Sequence, residues 1–430
     1  MLAHDDQLTE DINNKAYGTD GNTAQDQRAL SDAQMNSTNT LYDALGPVLG
    51  KYYKDAADAG KLPKTAQFLS DMNKSASTGV AKATYQHPRP YVDRVNFNGT
   101  TLNMNGLKQT LNIKKVPGYE NFDWGDGEAP DNEYDGLYNS GSFPSGHTTF
   151  AFTQGAGLAY LLPELGPEIM TRVSEAGNNR IVLGVHYPLD IMGGHIAGQY
   201  GVATAVSGEK TAQEGAAARA ELVDYLTAQC KADNHGDTLD ACITNTGANA
   251  ANGYRNDFTD EVSTKPVTDR ASALAAYKAR MTYGFQATGT TGQAPVVPDS
   301  AVRMLDNVAA FKSLDSAQKK AVLAATEGDS GYPLDASSQG WARVNLAAAY
   351  SAKVTLSADG KNVVKVEPGQ AQASVVRETS GNNGNNGGNG NGGSNAATSV
   401  STMPLAATPP ARSRCRRPAR TCPASPRRSS

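Results

Sequence analysis

The chain has 430 residues, of which 39% are hydrophobic and 19% charged, and its formal net charge is −4. It is long enough for two or three domains, which excludes a small scaffold held together by disulfides. The longest nearly apolar stretch, residues 150–162, is shorter than the roughly 20 residues that a membrane-spanning helix needs. The sequence therefore excludes an integral membrane protein.

Charge is distributed unevenly along the chain. Residues 379–430 contain seven Arg and no Lys, Asp or Glu, so that residues 1–378 carry a net charge of −11. We expect no binding of nucleic acid, because the net negative charge of residues 1–378 repels a phosphate backbone. The basic tail resembles GC-rich sequence translated in the wrong frame, and the alternative is a natural tail that binds an anionic polymer of a cell wall. A small substrate is the other expected partner.

Helix-like spacing of apolar and Ala residues runs through residues 5–85. Residues 88–142 are rich in Asn, Gly, Asp and Tyr, which predicts one long loop region, and loops of this length are usually functional. Three apolar segments within residues 145–206 are then predicted to be helices, and a fourth helical pattern covers residues 216–230. Pro188 suits the first turn of the third apolar helix.

The C-terminal third shows further regular patterns. Residues 265–350 contain helical patterns with Asp or Ser at suitable N-cap positions. Alternation about an Asp-Gly turn predicts a hairpin over residues 354–366. The sequence thus predicts an all-α protein with a long irregular loop region and a small C-terminal extension of helices and a hairpin. The predicted parts are a helical domain over residues 1–260, an accessory segment over 265–375, and a disordered Gly/Asn linker with a basic tail over 379–430.

Cys230 and Cys242 enclose a loop rich in Asn, Asp and Gly. No second Cys pair or His cluster lies nearby in the sequence, which favours a surface disulfide over a metal site, with free thiols as the alternative. The first residues have neither the basic start nor the apolar core of a signal peptide. Cysteine usage, the Asn-, Gly-, Ser- and Thr-rich composition and the tail nevertheless favour a secreted or cell-wall-associated protein whose natural start lies upstream.

Three short clusters combine cations, histidines and a carboxylate. Their members are Lys82 and Arg89 in KATYQHPRP, Ser145, Gly146 and His147 in FPSGHTT, and Arg180, His186 and Asp190 in NRIVLGVHYPLD. Each pattern alone is short enough to arise by chance, but all three in one chain are much rarer.

The three cations predict a site for a tetrahedral anion such as phosphate. No residue adjacent in sequence neutralises Lys82, Arg89 and Arg180 together, and the planar guanidinium suits oxyanions. Ser145 and Gly146 precede an apolar helical run, so their backbone N–H groups would lie at a helix N-terminus. There the helix dipole and donors without a helical partner bind anions.

The histidines predict nucleophilic and acid catalysis. His186 and Asp190 are four residues apart beside a predicted helix start, so the carboxylate can accept the proton of one ring nitrogen and leave the other to attack. His147 is placed to protonate a leaving alkoxide, whereas His87 has no part in this scheme. The alternative is structural: PSGH is then a turn and helix cap, and Arg180 joins the histidine and carboxylate in a satisfied network.

These patterns resemble the signature of the type 2 phosphatidic acid phosphatase superfamily, which includes bacterial class A non-specific acid phosphatases, membrane lipid phosphatases and vanadium haloperoxidases. The resemblance covers about residues 30–205 and implies the helical-bundle core of that superfamily. It implies that phosphate is held by Lys82, Arg89, Ser145, Gly146 and Arg180. It also implies that His147 is the general acid and that His186, oriented by Asp190, forms a phosphohistidine. Asn179 stands where the family usually has Ser, which affects only fine positioning.

The sequence therefore predicts a metal-independent acid phosphatase that hydrolyses phosphomonoesters without a cofactor and is inhibited by vanadate. The lack of a spanning segment argues against the membrane lipid phosphatases. One alternative is a vanadium-dependent haloperoxidase, with vanadate as a cofactor on the same anion site, although the chain is shorter than those enzymes. The other is a non-catalytic cell-wall adhesin, although an idle cluster of three buried cations would be costly to keep.

Overall fold

Helices make up most of the regular structure in the computed structural model, which describes residues 1–97, 100–101, 106–119, 133–335 and 338–379. The helices are α1 (Leu2–Tyr17), α2 (Ala24–Ala33), α3 (Ser37–Leu41), α4 (Gly46–Asp58), α5 (Pro63–Asn73), α6 (Gly79–Tyr85), α7 (Glu133–Gly136), α8 (Gly146–Leu161), α9 (Gly166–Val182), α10 (Pro188–Val206), α11 (Glu209–Ala232), α12 (Leu239–Thr246), α13 (Arg270–Thr282), α14 (Asp299–Arg303), α15 (Ser316–Thr326) and α16 (Leu346–Tyr350). The strands are β1 (Asn96–Phe97), β2 (Thr100–Thr101), β3 (Lys353–Leu356), β4 (Val363–Glu367) and β5 (Ser374–Arg377). The predicted all-α class is confirmed.

The three apolar segments of the sequence are α8, α9 and α10, and they form the centre of the fold. Every residue of α9 is buried, because α1, α2, α8, α10, α13 and α16 all pack against it. Pro188 occupies the first turn of α10, as predicted. These three helices therefore form a rigid base on which side chains near their ends can be held in place.

Glycines allow α8 and α10 to approach closely. A Cβ atom at Gly194 would lie 2.8 Å from the carbonyl oxygen of Ser145, and one at Gly198 would lie 2.5 Å from the Cβ of Phe152. Both distances are too short for any side chain, so only glycine is compatible with this packing. The N-terminal ends of α8 and α10 consequently lie side by side.

A buried ion-pair network fixes α2 against α9. The guanidinium of Arg172 donates to both carboxylate oxygens of Asp32, at 3.0 and 2.5 Å, and its Nε donates to Asp43 at 3.0 Å. Burial alone would raise the pKa of Glu175 on the same helix, but Arg172 and Arg28 lower it to about 2. The network is therefore charged, and it holds the C-terminal end of α2 beside α9.

The C-terminal extension contains the predicted hairpin. β3 pairs antiparallel with β4, with a register shift at Leu356, and the hairpin prediction is confirmed. β5 adds a parallel partner to β3 that the sequence did not indicate. The predicted division near residue 260 stays a prediction, and residues 380–430, which include most of the predicted linker and tail, lie outside the described residues.

Two further observations concern membrane-spanning helices and the predicted disulfide. In the described part of the chain, no helix has the length and apolar character needed to cross a membrane. A disulfide joins Cys230 at the end of α11 to Cys242 in α12.

We expect Arg172→Leu to lower the free energy of unfolding by about 3–5 kcal/mol, because it leaves buried carboxylates without their cation. The exposed pair of Lys51 and Asp55 provides the matched control, since Lys51→Ala should leave the denaturation midpoint unchanged. Urea denaturation monitored by circular dichroism measures both. A loss below about 1 kcal/mol for Arg172→Leu would show that the network contributes little to stability.

Candidate active site

The three clusters that are far apart in sequence meet at the adjoining ends of α8, α9 and α10. Arg89 Nη1 lies 3.2 Å from His186 Nε2. The backbone N–H of Ser145 donates to the carbonyl oxygen of Asp190 at 3.0 Å. Lys82 on α6 donates to the carbonyls of Gly141 and Ser142, in the segment that leads into α8. The structure thus brings together all the residues that the sequence singled out.

The N-terminal turn of α8 offers donors to an anion, although not in the way the sequence suggested. Ser145 is the N-cap, and its hydroxyl oxygen accepts from the Thr148 N–H at 3.2 Å. Because the Ser145 N–H is already bonded to Asp190, the prediction that this amide binds the anion is wrong. Ser145 can reach an anion only through its hydroxyl. Amides in the first turn of an α-helix have no carbonyl partner within that helix, and the amide of Gly146 is therefore suited to donate to an anion instead.

Arg180 is the cation whose contacts most directly indicate a site for an anion. Its side chain is 1% exposed, and Nη2 donates to the hydroxyl of Tyr119 at 2.6 Å. Within the described residues, its Nε and Nη1 have no hydrogen-bond partner. Leaving buried charged donors without a partner is costly. A tetrahedral oxyanion between α8 and α9 would satisfy them.

Positive charge is concentrated here, and Asp190 offsets only part of it. Among the described residues, no carboxylate forms a salt bridge with Lys82, Arg89 or Arg180. Burial, together with the charge of Arg89, lowers the pKa of Lys82 to about 8. Burial also lowers the pKa of Arg89, and Arg180 adds to that effect. The site therefore has a strong excess of positive charge when no anion is bound.

His186 has a defined tautomer. Its Nδ1 lies 3.1 Å from Asp190 Oδ2, which also accepts from the Tyr187 N–H at 2.9 Å. Its Nε2 faces Arg89 Nη1, which can only donate. The proton of the ring is therefore on Nδ1, and the Nε2 lone pair points toward the cations. Burial and the neighbouring Arg89 and Lys82 hold the pKa of His186 well below its usual range, so the ring is neutral.

His147 is held by a backbone carbonyl. Its Nε2 lies 3.1 Å from the oxygen of Ala33, at the end of α2, and since a carbonyl accepts, this nitrogen donates. Proton exchange with a ligand must then occur at Nδ1. Burial, followed by the charge of Arg180, holds the pKa of His147 well below its usual range. The buried network of Arg172 and Asp32 therefore positions this histidine through the neighbouring residue of α2.

Several contributors to the site were not found from the sequence. The carbonyl of Ala33 has no sequence signature, and Tyr119 lies in the long loop region 61 positions from its partner Arg180. His87 was given no role, yet its Nδ1 lies 2.9 Å from the hydroxyl of Ser142.

Asn179, the one departure from the family signature, donates to Asp32 Oδ2 at 2.8 Å and so supports α2. No group of three or more potential ligand side chains among the described residues could hold a metal ion.

Comparisons with known proteins agree with this geometry. A family model described as the PAP2 superfamily matches residues 66–212, a range that includes all eight site residues. An acid phosphatase of Zymomonas mobilis is 40% identical over 62 residues, which are 14% of this chain and 24% of that protein. A non-specific acid phosphatase of Providencia stuartii is 27% identical over 189 residues, which are 43% of this chain and 61% of that protein. The chain thus spans about a quarter and about three fifths of the lengths of these two relatives.

We expect sulfate to bind at this site and its affinity to fall as the pH rises through about 8, the pKa of Lys82. Sulfate stays a dianion, so the change reports only the protein. Below this pH Lys82 is charged and attracts the anion, and above it the charge is lost. Isothermal titration calorimetry between pH 6 and 10 measures the effect. Lys82→Arg keeps the charge and should remove the decline near pH 8, whereas an unchanged decline would assign it to another group.

Proposed function

We propose that this chain, whose residues 66–212 match the PAP2 superfamily, is an acid phosphatase that hydrolyses phosphomonoesters through a phosphohistidine on His186. The observation that supports this best is the cluster of buried cations beside a neutral histidine whose lone pair points at them. Arg180 contributes two buried donors without a partner in the described residues. Phosphate has the charge and the tetrahedral oxygens that such a cluster needs.

The first step is attack by His186 Nε2 on phosphorus. A phosphoryl oxygen accepts a hydrogen bond from the Arg89 N–H that faces His186 Nε2 when no substrate is bound. The lone pair of Nε2 then becomes available for attack. The N–P bond forms as the ester P–O bond breaks, and the ring keeps its proton on Nδ1. Asp190 accepts the Nδ1–H bond and stabilises the positive charge that develops on the ring. Arg180, Lys82 and the first-turn amides of α8 stabilise the equatorial oxygens.

His147 serves first as acid and then as base. The leaving oxygen takes a proton from Nδ1, while Nε2 stays bonded to Ala33. The cations that lower the pKa of His147 in the absence of an anion are neutralised by the bound phosphoryl group, so substrate binding raises that pKa and supplies the protonated ring. A water molecule then attacks phosphorus and gives its proton to His147. The P–N bond breaks and inorganic phosphate is released.

We also propose that the protein acts outside the cytoplasm. The disulfide between Cys230 and Cys242 is typical of proteins from oxidising compartments. The tail, with seven Arg in residues 379–430 and no acidic residue, would bind an anionic wall polymer. A fluorescent copy of the tail on isolated cell walls, with the seven Arg replaced by Gln as control, tests that part separately.

We expect hydrolysis of p-nitrophenyl phosphate that is unchanged after exhaustive chelation and is inhibited by vanadate. The three cations neutralise the phosphate as metal ions do in other phosphatases. Loss of activity on chelation, with recovery on adding a divalent metal, would contradict the mechanism. Oxidation of bromide by peroxide in the presence of vanadate, without phosphatase turnover, would support the haloperoxidase alternative. Neither activity in the folded protein would support the adhesin.

His186→Ala should abolish turnover, whereas His147→Ala should still form a phosphoenzyme from substrates with good leaving groups. The reason is that attack requires His186 but a stable leaving anion needs no proton. General acid catalysis contributes about 100- to 10,000-fold, so His147→Ala should lose far more activity on an alkyl phosphate than on p-nitrophenyl phosphate. Equal losses on the two substrates would show that His147 does not protonate the leaving group. Rapid-quench measurement of the phosphoenzyme separates the steps.

A further inference from the structure

A chain of side-chain hydrogen bonds extends behind the proposed nucleophile. His87 Nδ1 lies 2.9 Å from the Ser142 hydroxyl, and that hydroxyl lies 3.3 Å from Asp190 Oδ1. The other carboxylate oxygen of Asp190 accepts from His186. Ser142 and Asp190 are 0% and 1% exposed, respectively. The chain therefore runs through the interior from His87 to the proposed nucleophile.

The direction of each bond follows from the number of protons available. Ser142 has a single hydroxyl proton, and an ionised carboxylate can only accept, so Ser142 donates to Asp190. His87 must then donate from Nδ1 to the Ser142 oxygen, which fixes its tautomer. Asp190 consequently accepts from three donors: Ser142 at Oδ1, and His186 and the Tyr187 N–H at Oδ2. Both oxygens are thereby held in place.

Backbone contacts hold the same groups in register. The Ser142 N–H donates to the His87 carbonyl at 2.7 Å, so these two residues are tied by main chain and side chain together. The ring of His87 also contacts the ring of Tyr187 edge to face, with 5.0 Å between centroids. His87 thus touches both the segment before α8 and the segment before α10. A side chain fixed at both places can transmit its position to Asp190.

We propose that Ser142 and His87 are positioning residues that hold the Asp190 carboxylate in the plane required to fix the Nδ1–H tautomer of His186. The effect on turnover rests on the proposed phosphatase function, whereas the effect on the tautomer does not. Without the Ser142 hydroxyl, Oδ1 loses its side-chain donor and the carboxylate can rotate about its bond to Cβ. His186 then loses the partner that orients it, while the cations that bind phosphate are unchanged.

The first test compares turnover with anion binding. Ser142→Ala should lower kcat on p-nitrophenyl phosphate about 10- to 100-fold, the range known for outer-shell groups that orient metal-binding histidines, and leave vanadate affinity within about twofold. His87→Leu should lower kcat by a smaller factor, and His87→Asn should restore it, because the Asn amide can place a donor near the position of Nδ1. His195, a buried histidine of α10 bonded to Tyr277 at 2.8 Å, is the matched control. His195→Gln should lower the melting temperature without changing kcat.

The second test needs no turnover. In spectra of protein labelled with ¹⁵N-histidine, His186 should show an Nδ1–H tautomer with a strongly downfield Hδ1 resonance, assigned by its absence in His186→Asn. This resonance should move upfield or disappear by solvent exchange in Ser142→Ala and His87→Leu, and it should persist in His87→Asn and His195→Gln.

The two tests separate the two proposals. If the wild type neither hydrolyses phosphomonoesters nor binds vanadate, but the resonance responds as expected, the proposed function is wrong and the positioning role stands. If Ser142→Ala and His87→Leu leave both kcat and the resonance unchanged, the positioning role is overturned. Should Ser142→Ala fail to fold, the comparison of His87→Leu with His87→Asn decides alone, since equal kcat and equal spectra for those two variants would overturn the proposal.

Discussion

The constraint on which the site depends is the clustering of the buried Arg89 and Arg180 with the half-buried Lys82, none of which forms a salt bridge with a carboxylate of the described residues. Most other buried guanidinium groups of the described chain are paired with carboxylates, as Arg172 is with Asp32 and Asp43 and Arg270 is with Glu168. Arg280 differs, since it donates to the Ser174 hydroxyl. Lys82, Arg89 and Arg180 are bonded instead to carbonyl oxygens or a tyrosine hydroxyl, which offer only partial negative charge. An unpaired buried charge is strongly destabilising, and an anion bound among these cations would remove that cost.

The same cations control the proton content of the site. Burial is the main cause that lowers the pKa of His147 and His186, and repulsion by the cations adds to it, so both rings are neutral when no anion is present. A neutral His186 is what nucleophilic attack requires, but a neutral His147 cannot protonate a leaving group. In the proposed mechanism a bound phosphoryl group would cancel much of the repulsion around both rings, and only His147 would gain a proton, since the lone pair of His186 would be directed at phosphorus. The proposal thus couples binding to acid catalysis through charge.

The sequence predicted those features of the structure that depend on interactions between residues close together in the chain. Local patterns predicted α8, α9, α10 and the hairpin of β3 and β4 correctly, because helix periodicity, Pro188 and the Asp-Gly turn act over a few residues. The strand β5 was missed because its partner lies about twenty residues away and its own pattern is short. Within the site, the sequence supplied the charged and histidine side chains but not the Tyr119 hydroxyl or the Ala33 carbonyl. Backbone acceptors have no residue identity, and the loop containing Tyr119 has no periodicity that would place it.

The Ser145 amide shows that a sequence motif does not determine which backbone amides remain available for a ligand. A helix N-terminus has several unpaired amides, and the sequence cannot tell which of them the fold uses for itself. Here the fold uses the Ser145 N–H to join α8 to the carbonyl of Asp190, so this amide holds the partner of the proposed nucleophile in place. The glycines of α10 make this possible, since the carbonyl of Ser145 lies too close to Gly194 for any side chain. The proposed anion-binding turn and the proposed nucleophile are thus parts of one packed unit, and a change in the spacing of α8 and α10 would alter both together.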